Sequence, residues 1–213
     1  MSIKSFSDKF ADNSNSKSVS SGLRAKRFNW FLETIKPNRY SKILDVGGTE
    51  AIWLGTGLEK QVTLLNIDFK KRDPKFNYVV GDACNMRFVD GEFDIVYSNS
   101  VIEHVGNYER QAQFAKEVLR VGKSHWIQTP YKHFPIEPHF LFPLFQYLPP
   151  PIQRYVGMNW NYSHLKRNGE DILNELTRLR LINLSDMNKL FPQSNIMKEK
   201  YYGIIKSIIA YKQ

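Results

Sequence analysis

The stretch KILDVGGTEAIWLGTGLEKQVTLLNID, residues 42–68, holds two short apolar runs, Lys42–Gly47 and Val62–Asp68. Each closes on small, polar or turn-forming residues, the form taken by strands buried in a parallel sheet. Working outward, the same form recurs at Tyr78–Val80, Phe93–Asn99 and His125–Pro130. Between the last two runs, Tyr108–Val121 sets Ala112, Ala115, Val118 and Leu119 on one helical face, with Gly122 at a C-cap position. Alternation of this kind implies βαβ units and a parallel sheet with helices on both faces, so the fold class is α/β.

The flanks differ in character. Residues 1–22 contain eight serines and few large apolar side chains, and read as a flexible N-terminal arm. Leu23, Phe28, Phe31, Leu32 and Ile35 follow helical spacing up to Pro37, which predicts a helix outside the sheet. The segment 131–162 carries six of the ten prolines and nine aromatic residues. That is too much proline for a long helix and too much aromatic surface for a solvated loop, so it reads as an inserted lid on a domain spanning 23–213. After it, Glu170–Leu181 is amphipathic, and Ile196–Tyr202 and Ile204–Tyr211 are strand candidates separated only by Gly203. So short a link permits only antiparallel pairing.

Composition narrows the function. Hydrophobic residues make up 42% of the 213, enough for a globular core. A single cysteine, Cys84, excludes an internal disulfide framework and fits a reducing compartment, so a cytoplasmic location is expected. Pro138–Gln153 is too short and proline-rich to span a membrane, and MSIKSFSDKF lacks the apolar stretch of a secretory signal. The formal charge of +9 first suggests an anionic partner, but it is unevenly spread. Residues 1–40 carry +5, 41–130 carry −1 and 131–213 carry +5. The excess therefore argues for an acceptor with negative groups, or peripheral contact with an anionic membrane surface, rather than for nucleic acid.

In an open parallel sheet, ligands bind beyond the carboxyl ends of the strands, where the strand order reverses. The first run ends Asp45-Val46-Gly47-Gly48, where the glycines allow a tight turn and close backbone approach, and Asp45 offers a carboxylate to a cationic amino group. Counting on from Gly47, a G-x-G-x-x-G dinucleotide fingerprint would require glycines where Thr49 and Ile52 stand, and no Walker A sequence occurs. Asp68, 23 residues after Asp45, can accept from both hydroxyls of a ribose. Asp82 and Ala83 suit an exocyclic amine and a flat base, and the fourth run ends Ser98-Asn99-Ser100 before Glu103 and His104. Asp45 and Asp68 could equally cap helices, and the glycine pair could be a plain turn.

The ordered set ILDVGG (43–48), LLNID (64–68), GDA (81–83) and FDIVYSNSVIEHV (93–105) resembles the class I S-adenosylmethionine-dependent methyltransferases, and is similar to their small quinone-biosynthesis C-methyltransferases. The resemblance covers about residues 23–130 and the closing strand pair. It implies a Rossmann-like, mostly parallel seven-stranded sheet flanked by helices, with an antiparallel C-terminal strand. It also implies S-adenosylmethionine as cofactor. Gly47 and Gly48 would face its methionine portion, Asp45 its amino group, Asp68 the ribose, Asp82 and Ala83 the adenine, and Asn99 the methionine side. The family loop carries three glycines; here Thr49 and Glu50 follow Gly48, and Ala51–Gly57 makes a poor helix.

By that resemblance the reaction is in-line methyl transfer to a small-molecule, lipid or glycan acceptor. A hydroxyl or acidic carbon must also lose a proton, which a histidine can accept near neutral pH. The candidates are His139 and His133 in the insertion, with His104 behind them. No metal is expected, because Pro135 and Pro138 bar the helix that would align His133, Glu137 and His139. The aromatic insertion reads as core filler, as an apolar acceptor pocket or as a membrane-surface contact. The competing functions are a non-catalytic cofactor-binding protein, suggested by the irregular loop, and an RNA methyltransferase, suggested by the charge.

Overall fold

The computed structural model describes residues 19–160 and 169–213. Seven strands form one sheet: β1 (Ile43–Val46), β2 (Val62–Asn66), β3 (Asn77–Val80), β4 (Phe93–Asn99), β5 (Gly122–Pro130), and the closing pair β8 (Asn195–Tyr201) and β9 (Ile204–Lys212). Their order is β3-β2-β1-β4-β5-β9-β8. The first five strands are parallel, and β9 runs antiparallel to both β5 and β8. Tyr202 and Gly203 both take positive φ, the two-residue turn whose twist suits a tight hairpin. The order in which the strands are laid down reverses between the parallel neighbours β1 and β4, which places the ligand crevice above Asp45 and Asn99.

The flanking layers depart from the sequence reading. Helices do cover both faces, but β1, β2, β3 and β4 are joined by loops and single 3-10 turns instead of crossover helices. One face is covered by α1 (Val19–Ile35), which packs Phe28 and Phe31 with Trp53 against Ile43, Ile95, Tyr97 and Trp126. The other is covered by α2 (Tyr108–Val121) and a short helix, Leu184–Leu190, around Leu44, Val46 and Val96. The helix α1 begins four residues before the predicted start, inside the segment read as an arm; residues 1–18 lie outside the described residues. On α2 the buried positions are Gln111, Phe114, Ala115, Val118 and Val121, while Leu119 faces solvent. The buried stripe is thus turned from the one read in sequence, because Phe114 takes the largest share of the core. Gly122 is not a left-handed cap: it is extended at φ −108° and starts β5. A Cβ there would come within 2.5 Å of Val96 Cγ2, so glycine lets strand and helix meet.

The insertion is structured. It folds as a small hairpin of β6 (Ile136–Glu137) and β7 (Phe142–Pro143), then α3 (Pro150–Asn159), whose prolines sit harmlessly in the first turn. Phe140 stacks on Phe145, and both pack with Ile172 of α4 (Gly169–Arg178). Part of the aromatic surface is therefore core. Leu144, Tyr147, Ile152, Tyr155 and Met158 stay exposed. Among the described residues no helix is long and apolar enough to cross a membrane.

A buried ion pair ties α1 to the far edge strand: Arg27 Nη1 donates to Glu199 Oε2 at 2.9 Å, with both side chains almost fully buried. Removing one partner strands the other charge in a dry site. Glu199→Ala is expected to cost about 3–5 kcal/mol in urea unfolding, and the double variant Arg27→Met with Glu199→Leu to recover most of it.

Candidate active site

At the end of β1 the alternation of side chains points Leu44 and Val46 to one face and Asp45 to the other, beneath α1. Asp45 is 0% exposed. Its Oδ2 accepts a hydrogen bond from Trp53 Nε1 at 2.7 Å, while Oδ1 is buried and accepts none. Trp53, Tyr97, Phe28 and Phe31 meet edge to face around it. Burial in this aromatic surround pushes the carboxyl up to about 7, against the opposing pull of the Trp53 hydrogen bond.

The glycines above it have steric reasons. A Cβ on Gly48 would lie 1.8 Å from Asp45 Oδ2, and one on Gly47, at φ +73°, 2.5 Å from Val101 Cγ2. Asn66 Nδ2 donates to the Gly48 carbonyl at 2.7 Å and anchors the loop to the end of β2. The stretch Ala51–Gly57, read as a poor helix, is a 3-10 turn over Glu50–Ile52 that delivers Trp53 beneath the sheet end. Sequence reasoning missed Trp53; its one signal was a large aromatic stranded in a glycine-rich loop.

Two cavities meet at Gly47. One, of about 460 Å³, is lined by Asp45, Gly48, Tyr97 and Asn99, with Arg24 and Phe28 of α1. The other, of about 620 Å³, is lined by Asn66, Asp82, Ala83, Val101, His104 and Arg178. Six of the seven residues expected to bind cofactor therefore line this pair of cavities. Asp68 does not: β2 ends at Asn66, and Asp68 stands exposed two residues further on with Oδ1 accepting from the Phe69 N–H. Asp82 is paired with Arg110 at 2.8 Å; burial raises its carboxyl, but the Arg110 and Cys84 N–H bonds outweigh this and lower it overall. Neither Asp45 nor Asp68 caps a helix. Cys84 is a buried thiol pushed up to about 11 by desolvation, which makes it an inert packing residue.

Of the three candidate histidines, the structure brings two together. His104 Nε2 and His139 Nε2 stand 3.1 Å apart. Burial lowers the His139 imidazole, but the Glu137, Glu103 and Glu175 carboxylates more than compensate and raise it to about 8. His133 is exposed and turned away, with Nδ1 on the Tyr147 hydroxyl. His125 is buried against Ser194 and lowered to about 4, consistent with a core residue, and His164 lies outside the described residues.

Comparison with known proteins agrees with this geometry. Residues 46–125 match the family model described as a methyltransferase domain. That match over 80 of the 213 residues, together with the strand order, supports an S-adenosylmethionine-dependent methyltransferase. Among solved structures, it is similar to a SAM-dependent methyltransferase from Archaeoglobus fulgidus, at 15% identity and TM-score 0.56 over 97% of this chain and 98% of that one. It is similar too to the PH0226 protein of Pyrococcus horikoshii OT3, at 17% identity and TM-score 0.58 over 96% and 94%. A Rhodobacter sphaeroides protein provisionally described as a Zn-dependent alcohol dehydrogenase gives 14%, 0.57, 87% and 88%. At these identities the likenesses speak for the fold alone. None of these matches singles out the quinone C-methyltransferases within the family.

S-adenosylmethionine is the cofactor of this domain, and the methyltransferase site fits it on two observations: an orphaned, fully buried carboxylate oxygen beside a cavity, and a glycine cradle with no room for a Cβ. Gly48→Ala is expected to weaken S-adenosylmethionine binding at least about tenfold in calorimetry, because the added methyl displaces Asp45 or the loop.

Proposed function

We propose that the protein transfers a methyl group from S-adenosylmethionine to a small-molecule, lipid or glycan acceptor, with the cofactor spanning both cavities across Gly47. The observation that carries this reading is the Asp45 carboxylate, with one oxygen committed to Trp53 and the other unsatisfied at the wall of the smaller cavity. A cationic α-amino group placed there supplies the missing donor and the missing charge. Asn99 and the loop Gly47–Gly48 then hold the methionine portion. In the larger cavity Asn66 faces the ribose and Asp82 with Ala83 the adenine. S-adenosylmethionine supplies an activated methyl on a sulfonium sulfur.

The protein's share of catalysis is then positional. Holding the nucleophile in line with the methyl group can supply roughly 7–11 kcal/mol at best. The charge distribution and the exposed apolar surface also favour one class of acceptor. Residues 41–130, which build the cofactor seat, carry −1, whereas residues 131–213, which hold the insertion and α4, carry +5. Arg178 brings that excess to the wall of the larger cavity, and the insertion exposes Leu144, Tyr147, Ile152 and Tyr155 nearby in the chain. An acceptor with an apolar body and an anionic group suits this mixture better than nucleic acid. His104 and His139 are the imidazoles placed to meet its nucleophilic atom.

Cofactor affinity should follow Asp45. With its carboxyl at about 7 in the free protein, the ionised form that an ammonium prefers grows from about a tenth at pH 6 to about nine-tenths at pH 8. Binding of S-adenosylmethionine is therefore expected to tighten about tenfold over that interval, and Asp45→Asn to bind weakly with a flat profile. A pH-independent wild-type affinity would remove Asp45 from the site. Turnover is tested by presenting the protein with labelled cofactor and quinone, glycan, lipid and RNA acceptors; labelling of RNA alone would contradict the acceptor class.

A further inference from the structure

The turn after β4 and the inserted hairpin bring His139 to two adjacent side chains, the nearer of them 35 residues before it in sequence. Glu103 and His104 share a 3-10 turn, Ile102–His104, and His139 arrives from the loop between β6 and β7. The two imidazoles present Nε2 to each other at 3.1 Å, with ring planes at 90°. Glu103 is 0% exposed, with Oε2 held by the Thr129 hydroxyl at 2.9 Å. Its Oε1 accepts no hydrogen bond and lies 3.9 Å from His104 Nε2. The three potential ligand atoms all fall within 4.8 Å of one another.

The opposite ring nitrogens fix the chemistry. His139 Nδ1 lies 2.5 Å from Glu137 Oε1, and Glu137 is itself held through Oε2 by the backbone N–H groups of His139 and Phe140. His104 Nδ1 lies 2.8 Å from Glu175 Oε1. A carboxylate on Nδ1 orients each ring with Nε2 toward the other, and once an ion takes Nε2 the remaining imidazole proton rests on Nδ1. The two Nε2 atoms therefore face each other, with an unsatisfied carboxylate oxygen beside them. One shared proton would relieve the contact between the nitrogens but leave Glu103 Oε1 orphaned in a buried site. A divalent cation satisfies all three. A separation of 3.1 Å suits two nitrogens held at about 2.0–2.1 Å from one ion, and two imidazoles with one carboxylate are a donor set that zinc accepts with a fourth position open.

We infer that Glu103, His104 and His139 form a binding site for a zinc-type divalent cation, with Glu137 and Glu175 as the residues that position its imidazoles. His104 lines the larger cavity, so a fourth ligand reaches the ion from that side. An acceptor oxygen in that position would be polarised and would lose its proton more readily; this role rests on the function proposed above, whereas binding of the ion does not.

The test uses Zn²⁺ alone, titrated calorimetrically into the full chain after removal of any affinity tag and treatment with chelator. One equivalent is expected to bind. Glu103→Gln and His139→Ala should each weaken it by more than about 100-fold, and Glu137→Gln, which removes only an orienting contact, by about 10–100-fold. Co²⁺ in place of Zn²⁺ should develop the visible absorption of a low-coordinate site in the wild type and lose it in His139→Ala. Retained S-adenosylmethionine affinity in these variants reports folding. Should a variant lose it, protection of wild-type imidazoles from diethyl pyrocarbonate by Zn²⁺ decides instead. No saturable uptake by the wild type, or uptake that Glu103→Gln and His139→Ala leave unchanged, overturns the site. Loss of cofactor binding by the wild type with Zn²⁺ uptake intact would count against the proposed function alone.

Discussion

The Asp45 carboxylate lies near the end of β1, with no solvent contact and a single side-chain donor, the Trp53 indole. Much of the cleft is arranged around that one costly placement. Gly48 must be glycine because the carboxylate fills the space of its Cβ, and the 3-10 turn after it exists to bring Trp53 underneath. The helix α1 closes the aromatic surround from above with Phe28 and Phe31. An uncompensated buried carboxylate resists ionisation, which is why it stays near neutrality rather than acidic. A ligand that brings a positive charge recovers what the empty arrangement forgoes. The site is thus built to be incomplete without a cationic partner.

This arrangement explains why the usual crossover helices are dispensable here. Apolar residues of α1 reach across the face that a helix after β1 would cover, and the Arg27 to Glu199 pair ties that helix to the edge strand. A helix supplied from the N-terminal side thereby forms both a wall of the core and a wall of the smaller cavity, through Arg24, Ala25 and Phe28. Anything that displaces α1 opens the cofactor seat. The insertion plays the equivalent part on the other side, where Phe140 and Phe145 root the hairpin that presents His139 and Glu137.

Much of the sheet was legible in sequence because buried parallel strands read as apolar runs, and their ends hold Asp45, Gly47, Asp82 and Asn99. The closing hairpin was legible because the single residue Gly203 between two strand candidates permits only antiparallel pairing. Other features were not. The buried stripe of α2 was misplaced because alanines and a leucine gave a competing stripe that ignored the bulk of Phe114. Asp68 was read as the end of a strand that closes two residues earlier, at Asn66, because the apolar run continues through Ile67. The cluster of Glu103, His104 and His139 was invisible to spacing, because its members come from a turn and a hairpin 35 residues apart that only the fold unites. Trp53 had no periodicity to mark it.

The central claim is that Asp45 titrates near neutrality in the free protein and is ionised when the cofactor is bound. Proton release on S-adenosylmethionine binding, obtained from calorimetry in buffers of different ionisation enthalpy, measures this directly. At pH 6 the account predicts release of about 0.9 proton per cofactor bound, falling to about 0.1 at pH 8 and absent in Asp45→Asn. Binding at pH 6 without proton release, or with a release that Asp45→Asn preserves, would contradict it.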